Sequence, residues 1–398
     1  MIPAAASFAT GFVPAWLRVV TDPHHGGLAE WVDAEGRPDS DALRTTLTQA
    51  RCAFALAHLH LATGDPRLLD AAVGAWRFLD AHLRHPEGGY RMSVAADGEM
   101  RRAYDHSFVL LALVTLTKAA PDLIPAGRIE SLWSFVETLT DPETGALWED
   151  DKMARNGAGS GARRGQNPQM HMLEAVLQAF EITRDAVWME RATRYVAVAR
   201  DYLIDRETGA VREWVGPDLH PLPGPDGTLR EPGHQYEWAW LLHRYADLGG
   251  NEEVRELGDR MIGFVERHGL GRSGPLKGAP FDALDADGTV REPSHLLWPA
   301  TEAGKYYAWR HLAQGEAQAA EMALALERTV FDRFFQAGSA PCWSNQLDGQ
   351  GRPLQPVALS RLIYHVALFV TEGARAGLWP LAKTDTPSTI IRREEFSR

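Results

Sequence analysis

Apolar residues recur at alternating intervals of four and three at Leu43, Leu47, Ala50, Phe54, Ala57 and Leu61, a spacing that lays one stripe along an α-helix ending near Gly64. Leu69, Val73, Trp76, Leu79 and Leu83 repeat the pattern, and Pro66 falls in the first turn, where a missing N–H does little harm. The short connection between them predicts a tight helical hairpin. Similar pairs are predicted over 104–119 with 126–140, 168–184 with 187–203, 234–249 with 251–268 and 300–313 with 315–336, and a last helix over 360–376. The first helix of each pair is apolar along most of its length, whereas the second carries more charge. That contrast assigns the first to an inner ring and the second to an outer, solvent-facing ring.

Glycine turns at Gly26-Gly27, Gly88-Gly89, Gly145, Gly209, Gly288 and Gly349 punctuate the pattern. Their recurrence of roughly 60 to 80 residues suits pairs of long helices. No Pro/Ser-rich linker or low-complexity stretch divides the chain. The expected fold is therefore all-α: one (α/α)6 barrel domain spanning 1–398. Short β-hairpins at its mouth are expected from pieces such as 145–148 and 209–214, which are too short to build a second layer.

A net charge of −12 disfavours nucleic acid, whose binding rests on Lys and Arg neutralising phosphates. Two cysteines, Cys52 and Cys342, stand far from any partner and suit a reducing compartment. The opening segment lacks the basic start of a signal peptide, and the longest apolar run, Phe108–Leu116, is too short to span a bilayer. A cytoplasmic protein with no membrane partner, monomeric or homodimeric, is expected. There is no HExxH, no CxxC pair, no P-loop and no GxGxxG turn between strand and helix, so no metal and no cofactor are expected. The glycine-rich stretch 157–161 reads as a loop over the cavity.

Ionisable and aromatic residues fall at comparable places in successive repeats, and a closed ring aims them into one cavity. Arg51 lies inside the first apolar helix, where a guanidinium must find partners. Tyr104 and His106 open the second unit, with Asp105 as an alternative helix cap. Asn167, followed by Pro168, reads as an N-cap that places His171 one turn inside. His234 and Glu237, three apart, project from one face, so Glu237 is expected to orient the imidazole or hold a hydroxyl. Trp298 and Glu302 add an aromatic and a carboxylate, and His365 opens the last helix. Each has a plain structural alternative: a core histidine, an ion pair or a helix-start acid.

Together the segments NPQMHMLEA, PGHQYEWAWLL, LLWPATEA and the C-terminal YH resemble the N-acylglucosamine 2-epimerase superfamily over nearly the whole chain, most closely its mannose isomerases. The resemblance implies an (α/α)6 barrel acting on a free monosaccharide, with Arg51, Tyr104, Asn167, His171, His234, Glu237 and His365 matching sugar-contacting positions and Trp298 and Glu302 a further pair. It implies interconversion of D-mannose and D-fructose, with D-lyxose and D-xylulose as further substrates, through a cis-enediol. Histidines, with an ordinary pKa near 6.5, suit such proton transfers. His365 is expected to move the carbon-bound proton, His234 to act as its acid/base partner, and His171 to polarise the O1 or O2 region. Sugar 2-epimerisation is the alternative from the same enediolate. A glycoside hydrolase would instead use two carboxylates, for which Glu237 and Glu302 are the candidates, and a non-catalytic sugar-binding protein would bind without turnover.

Overall fold

The computed structural model describes residues 4–39, 41, 43–335, 340–355 and 357–384. Its barrel helices, in chain order, are α1 Val13–Val20, α2 Thr46–Thr63, α3 Pro66–Phe78, α4 Ala103–Ala119, α5 Arg128–Thr138, α6 Asn167–Thr183, α7 Ala186–Val198, α8 Pro232–Asp247, α9 Val254–His268, α10 Leu297–Gln314, α11 Ala317–Thr329 and α12 Ile363–Arg375. The even-numbered helices form the inner ring: each packs on the next, and α12 returns to α2. The odd-numbered helices lie outside them. α3, α7 and α11 each end in one wider turn, at Leu79–Leu83, Ala199–Leu203 and Val330–Phe334. This is the (α/α)6 barrel expected from the periodicity.

The apolar stripe read along α2 understates its burial. From Thr46 to Ala57 every residue is buried, because α3, α4 and α12 cover different faces, while the stripe's two ends, Leu43 and Leu61, are exposed. Thr45 caps the start by accepting the Thr48 N–H, and Gly64 ends the helix in the left-handed conformation at φ +77°.

One outer helix was not anticipated. The N-terminal segment is helical, and it closes the outer ring between the last and first hairpins. Phe8 packs against Phe331, tilted, and Phe335, edge-on, with ring centres 6.0 Å away in both cases; Phe12 meets Phe335 at 5.0 Å, and Trp16 lies 6.1 Å from Trp343.

The glycine turns are fastened to the inner ring by a recurring bond. After four of the six turns a backbone N–H one or two residues on is taken by an inner-helix side chain: Leu28 by Gln49 (3.0 Å), Tyr90 by His106 (2.8 Å), Leu147 by Gln169 (2.9 Å) and Val211 by Gln235 (2.7 Å). Gly89 shows why a glycine stands there: at φ +69°, an added Cβ would lie 2.6 Å from His106 Nε2 and 2.5 Å from Phe135.

Short antiparallel ladders join the loops that feed the inner helices: Trp31–Val32 with Ala358–Leu359, Arg164–Gly165 with Trp214–Val215, Leu229–Arg230 with Ala283–Asp285 and Val290–Glu292, and His295–Leu296 with Gln346–Leu347 and Pro353–Gln355. The expected turns around Gly145 and Gly209 are closed by the bridges Thr140 to Leu147 and Ile204 to Val211. Residues 151–156 form a short helix and 157–160 a further turn in place of the open loop expected there. Cys52 and Cys342 are free and buried. Among the described residues no helix is long and apolar enough to cross a membrane.

Candidate active site

Because every inner helix starts at the same end of the barrel, residues in the first turns of different helices converge there. Arg51, Tyr104, Asn167, His171, His234, Glu237, Trp298, Glu302 and His365 all lie within the first six residues of an inner helix. The Trp298 ring sits 4.7 Å from the His234 ring and 5.7 Å from the His365 ring. Tyr364 continues the wall, 4.6 Å from His365 and 6.2 Å from His171. His171 in turn lies 5.4 Å from Tyr104. Arg51 donates to the Tyr104 hydroxyl at 2.6 Å, with its guanidinium 4.1 Å from the centre of the Phe108 ring. Tyr104, Asn167, Trp298 and Arg361 are half-buried at the rim, while His171, His234 and His365 are only 2, 7 and 4% exposed. The three imidazoles predicted from distant segments therefore share one wall at the barrel mouth.

Each imidazole is held through Nδ1 by a carboxylate. His171 meets Glu174 Oε2 at 3.2 Å, His365 meets Glu302 Oε1 at 2.7 Å, and His234 meets Glu213 Oε2 at 2.8 Å and Glu231 Oε2 at 3.1 Å. An ionised carboxylate only accepts, so Nδ1 carries the hydrogen and Nε2 is left to act on a ligand. This corrects the expected partner of His234: Glu237 does not orient it. Glu237 instead lies 3.8 Å from His171 and 3.4 Å from the Tyr364 hydroxyl. Glu213 arrives from the turn after Gly209 and is itself fixed by Gln166 at 3.1 Å, whose carbonyl accepts the Trp238 indole N–H at 2.7 Å. Tyr364 donates to Glu174, and Lys305 forms an ion pair with Glu302.

Three further expectations are corrected. His106 is not at the site: both ring nitrogens are taken by backbone, Nε2 by the Tyr90 N–H and Nδ1 by the Arg102 carbonyl, so no atom is free for a sugar. Asp105 pairs with Arg102 rather than capping. Asn167 is at the rim as expected, but it is the first residue of α6, with Gln166 in the cap position. Among the described residues, three groups bring potential metal-donor atoms within 4.8 Å of one another: His171–Glu174–Glu237, Glu213–Glu231–His234 and Glu237–Glu302–His365. Each already contains an imidazole–carboxylate contact.

A family model described as N-acylglucosamine 2-epimerase (GlcNAc 2-epimerase) matches residues 26–368, which takes in every residue of this site. The chain belongs to the N-acylglucosamine 2-epimerase family. Within it, the chain is 30% identical to a mannose-6-phosphate isomerase of Rhizobium meliloti (strain 1021) over 377 residues, covering 90% of this chain and 93% of the relative. It is 32% identical to a D-mannose isomerase of Thermobifida fusca over 251 residues, 55% of this chain and 56% of that protein. A crystal structure of D-mannose isomerase superposes with a TM-score of 0.80 at 19% identity, covering 93% of this chain and 97% of that one. The chain is thus a sugar isomerase or epimerase.

In this member of the N-acylglucosamine 2-epimerase family the histidines differ sharply in proton affinity. Burial alone would depress His234, but the Glu213 and Glu231 carboxylates outweigh it and raise its pKa to about 9. Burial, reinforced by the positive charges of Arg51 and Lys305, holds His365 well below 6.5. Burial likewise lowers His171 to about 3, against the pull of Glu174. Glu237 is pushed above the carboxylate range by burial and by its neighbour Glu302. At neutral pH the site presents one imidazolium, His234, and two neutral imidazoles.

Proposed function

We propose that this enzyme is an aldose–ketose isomerase interconverting D-mannose-type and D-fructose-type sugars, with the corresponding pentoses lyxose and xylulose as further substrates, through a cis-enediolate and by its own side chains. The observation that carries the reading is that His234 and His365 both lie against Trp298, each with Nδ1 held by its own carboxylate and Nε2 left for a ligand. Titratable pairs driven apart by their surroundings mark acid and base roles. Neutral His365 offers the Nε2 lone pair, removes the proton on C2 and returns it to C1. Protonated His234 donates Nε2–H to the ring oxygen as the pyranose opens and takes back the O1 proton; it then protonates O1 as His365 removes the C2 proton, and accepts the O2 proton as His365 delivers its own to C1. His171, whose Nδ1–H is given to Glu174, accepts a sugar hydroxyl. Arg51 and Tyr104 donate to the developing enediolate, where preorganised donors have most effect. Trp298 supplies a flat apolar floor for the ring.

The same geometry disfavours the hydrolase alternative. Glu237 and Glu302 approach within 4.8 Å, and Glu302 is engaged by His365 and Lys305. A glycosidase needs both carboxylates free to face the bond between them. The Ala variant at position 365 tests the mechanism: turnover of mannose should fall by about 10² to 10⁴ with the fold retained. Continued exchange of the C2 hydrogen with solvent in that variant would reject His365 as the base.

One observation favours a phosphorylated hexose as a second reading. Of the buried arginines, Arg44, Arg101, Arg164 and Arg230 each pair with an aspartate, whereas Arg51 pairs with no carboxylate among the described residues. Arg361, half-buried and close enough to feel the Arg51 charge, has no acidic partner either. Two such guanidinium groups suit an oxyanion, and the relative from Rhizobium meliloti is named for a 6-phosphate sugar. A kcat/KM for mannose 6-phosphate at least tenfold above that for mannose would establish this reading, and a lower value would dismiss it.

A further inference from the structure

His234 and His365 both lie against the Trp298 ring, and each is bonded through Nδ1 to a carboxylate, yet two features separate them: His234 faces a second acid, Glu231, and the acid on His365 has a cation of its own. Glu302 gives Oε1 to His365 and Oε2 to the ammonium of Lys305. Glu213 and Glu231, the partners of His234, have no lysine or arginine within ion-pair distance among the described residues. Lys305 follows Glu302 by three residues on α10, and both are fully buried. Its ammonium also lies 4.1 Å from the centre of the Trp240 ring. An ammonium held there is costly to desolvate unless it is paired, so its placement under the histidine's own carboxylate calls for a role.

We propose that Lys305 is a positioning residue: ion-paired with Glu302, it cancels the charge of the carboxylate that holds His365 Nδ1 and so keeps that imidazole a base. For turnover the inference rests on the isomerase reading, but its protonation claim is measured without substrate. The charged and titratable groups around His365 are Arg51 from α2, His171 and Glu174 from α6, His234 and Glu237 from α8, Glu302 and Lys305 from α10, and Tyr364 beside it. Among the cations here, Arg51 bonds Tyr104 rather than a carboxylate. Lys305 is the cation that pairs with the acid on His365. Without it, the carboxylate beside His365 has no cation of its own, as Glu213 and Glu231 have none beside His234, and His365 binds a proton at higher pH.

The substitution Lys305→Met removes the charge and keeps the stem. Histidine ring resonances of the unliganded protein should then show the Glu302–His365 pair protonating about one pH unit higher or more. The acid limb of kcat/KM should rise with it, and Lys305→Arg should restore both. An unmoved midpoint, or a loss of activity equal at every pH, overturns the proposal. Should Lys305→Met fail to fold, the unmodified chain decides: His365 must read neutral at pH 6 while His234 reads protonated at pH 8, and a His365 already protonated at pH 6 overturns it. A chain that shows this protonation pattern but turns over no sugar would refute the isomerase reading and leave the role of Lys305 standing.

Discussion

At the scale of residues, the site depends on which carboxylate faces which imidazole, and this is where sequence spacing misleads. Glu237 follows His234 by three on one helix, yet the partner is Glu213, 21 positions earlier, brought in by the Arg164–Gly165 and Trp214–Val215 ladder. His171 with Glu174, Glu231 with His234 and Glu302 with Lys305 are local pairs, all three apart, that the sequence analysis did not single out. Local spacing cannot anticipate a partner from another repeat. The Glu213 contact has a signed consequence. His234 must be protonated to act as the acid, so kcat/KM should fall as pH rises through about 9. Glu213→Gln removes a negative charge that stabilises the imidazolium, so this alkaline limb should move down by about one unit or more. A limb that stays near 9 in a pH–rate profile of the variant would mean that Glu213 does not set it.

At the scale of elements, helix identity was legible because the inner and outer helices differ so strongly in polarity, and most predicted boundaries fall within three residues of those observed. The role of His106 was not legible, since a polar residue two positions from Tyr104 on an apolar helix reads equally as a ligand or a fastener. The repeat resolves it: His106 takes the same kind of turn N–H as Gln49, Gln169 and Gln235. Replacing it by Ala leaves the buried Tyr90 N–H without a partner, which should lower stability by about 1–3 kcal/mol in denaturant unfolding. His106→Gln, the side chain the other repeats use, should recover most of that loss. Equal destabilisation by Ala and Gln would reject the fastening role.

At the scale of the whole molecule, ring closure is what turns separated motifs into one site. Closure relies on the N-terminal helical segment, whose Phe8, Phe12 and Trp16 pack against Phe331, Phe335 and Trp343 from the far end of the chain. That segment is short and precedes the first glycine turn, so the repeat pattern gave it no place. Trp16 is fully buried. Trp16→Ala should therefore cost about 3–5 kcal/mol in global unfolding, and a change under 1 kcal/mol would show that the ring does not depend on this contact. The account stands most directly on the fate of the C2 proton once the closed barrel has opened the sugar. Incubating the purified protein with D-mannose, or its 6-phosphate, and resolving the products by NMR measures that fate. The corresponding fructose as the main product is the expected result. The corresponding glucose, formed by return of the proton to C2 from the opposite face, would contradict it.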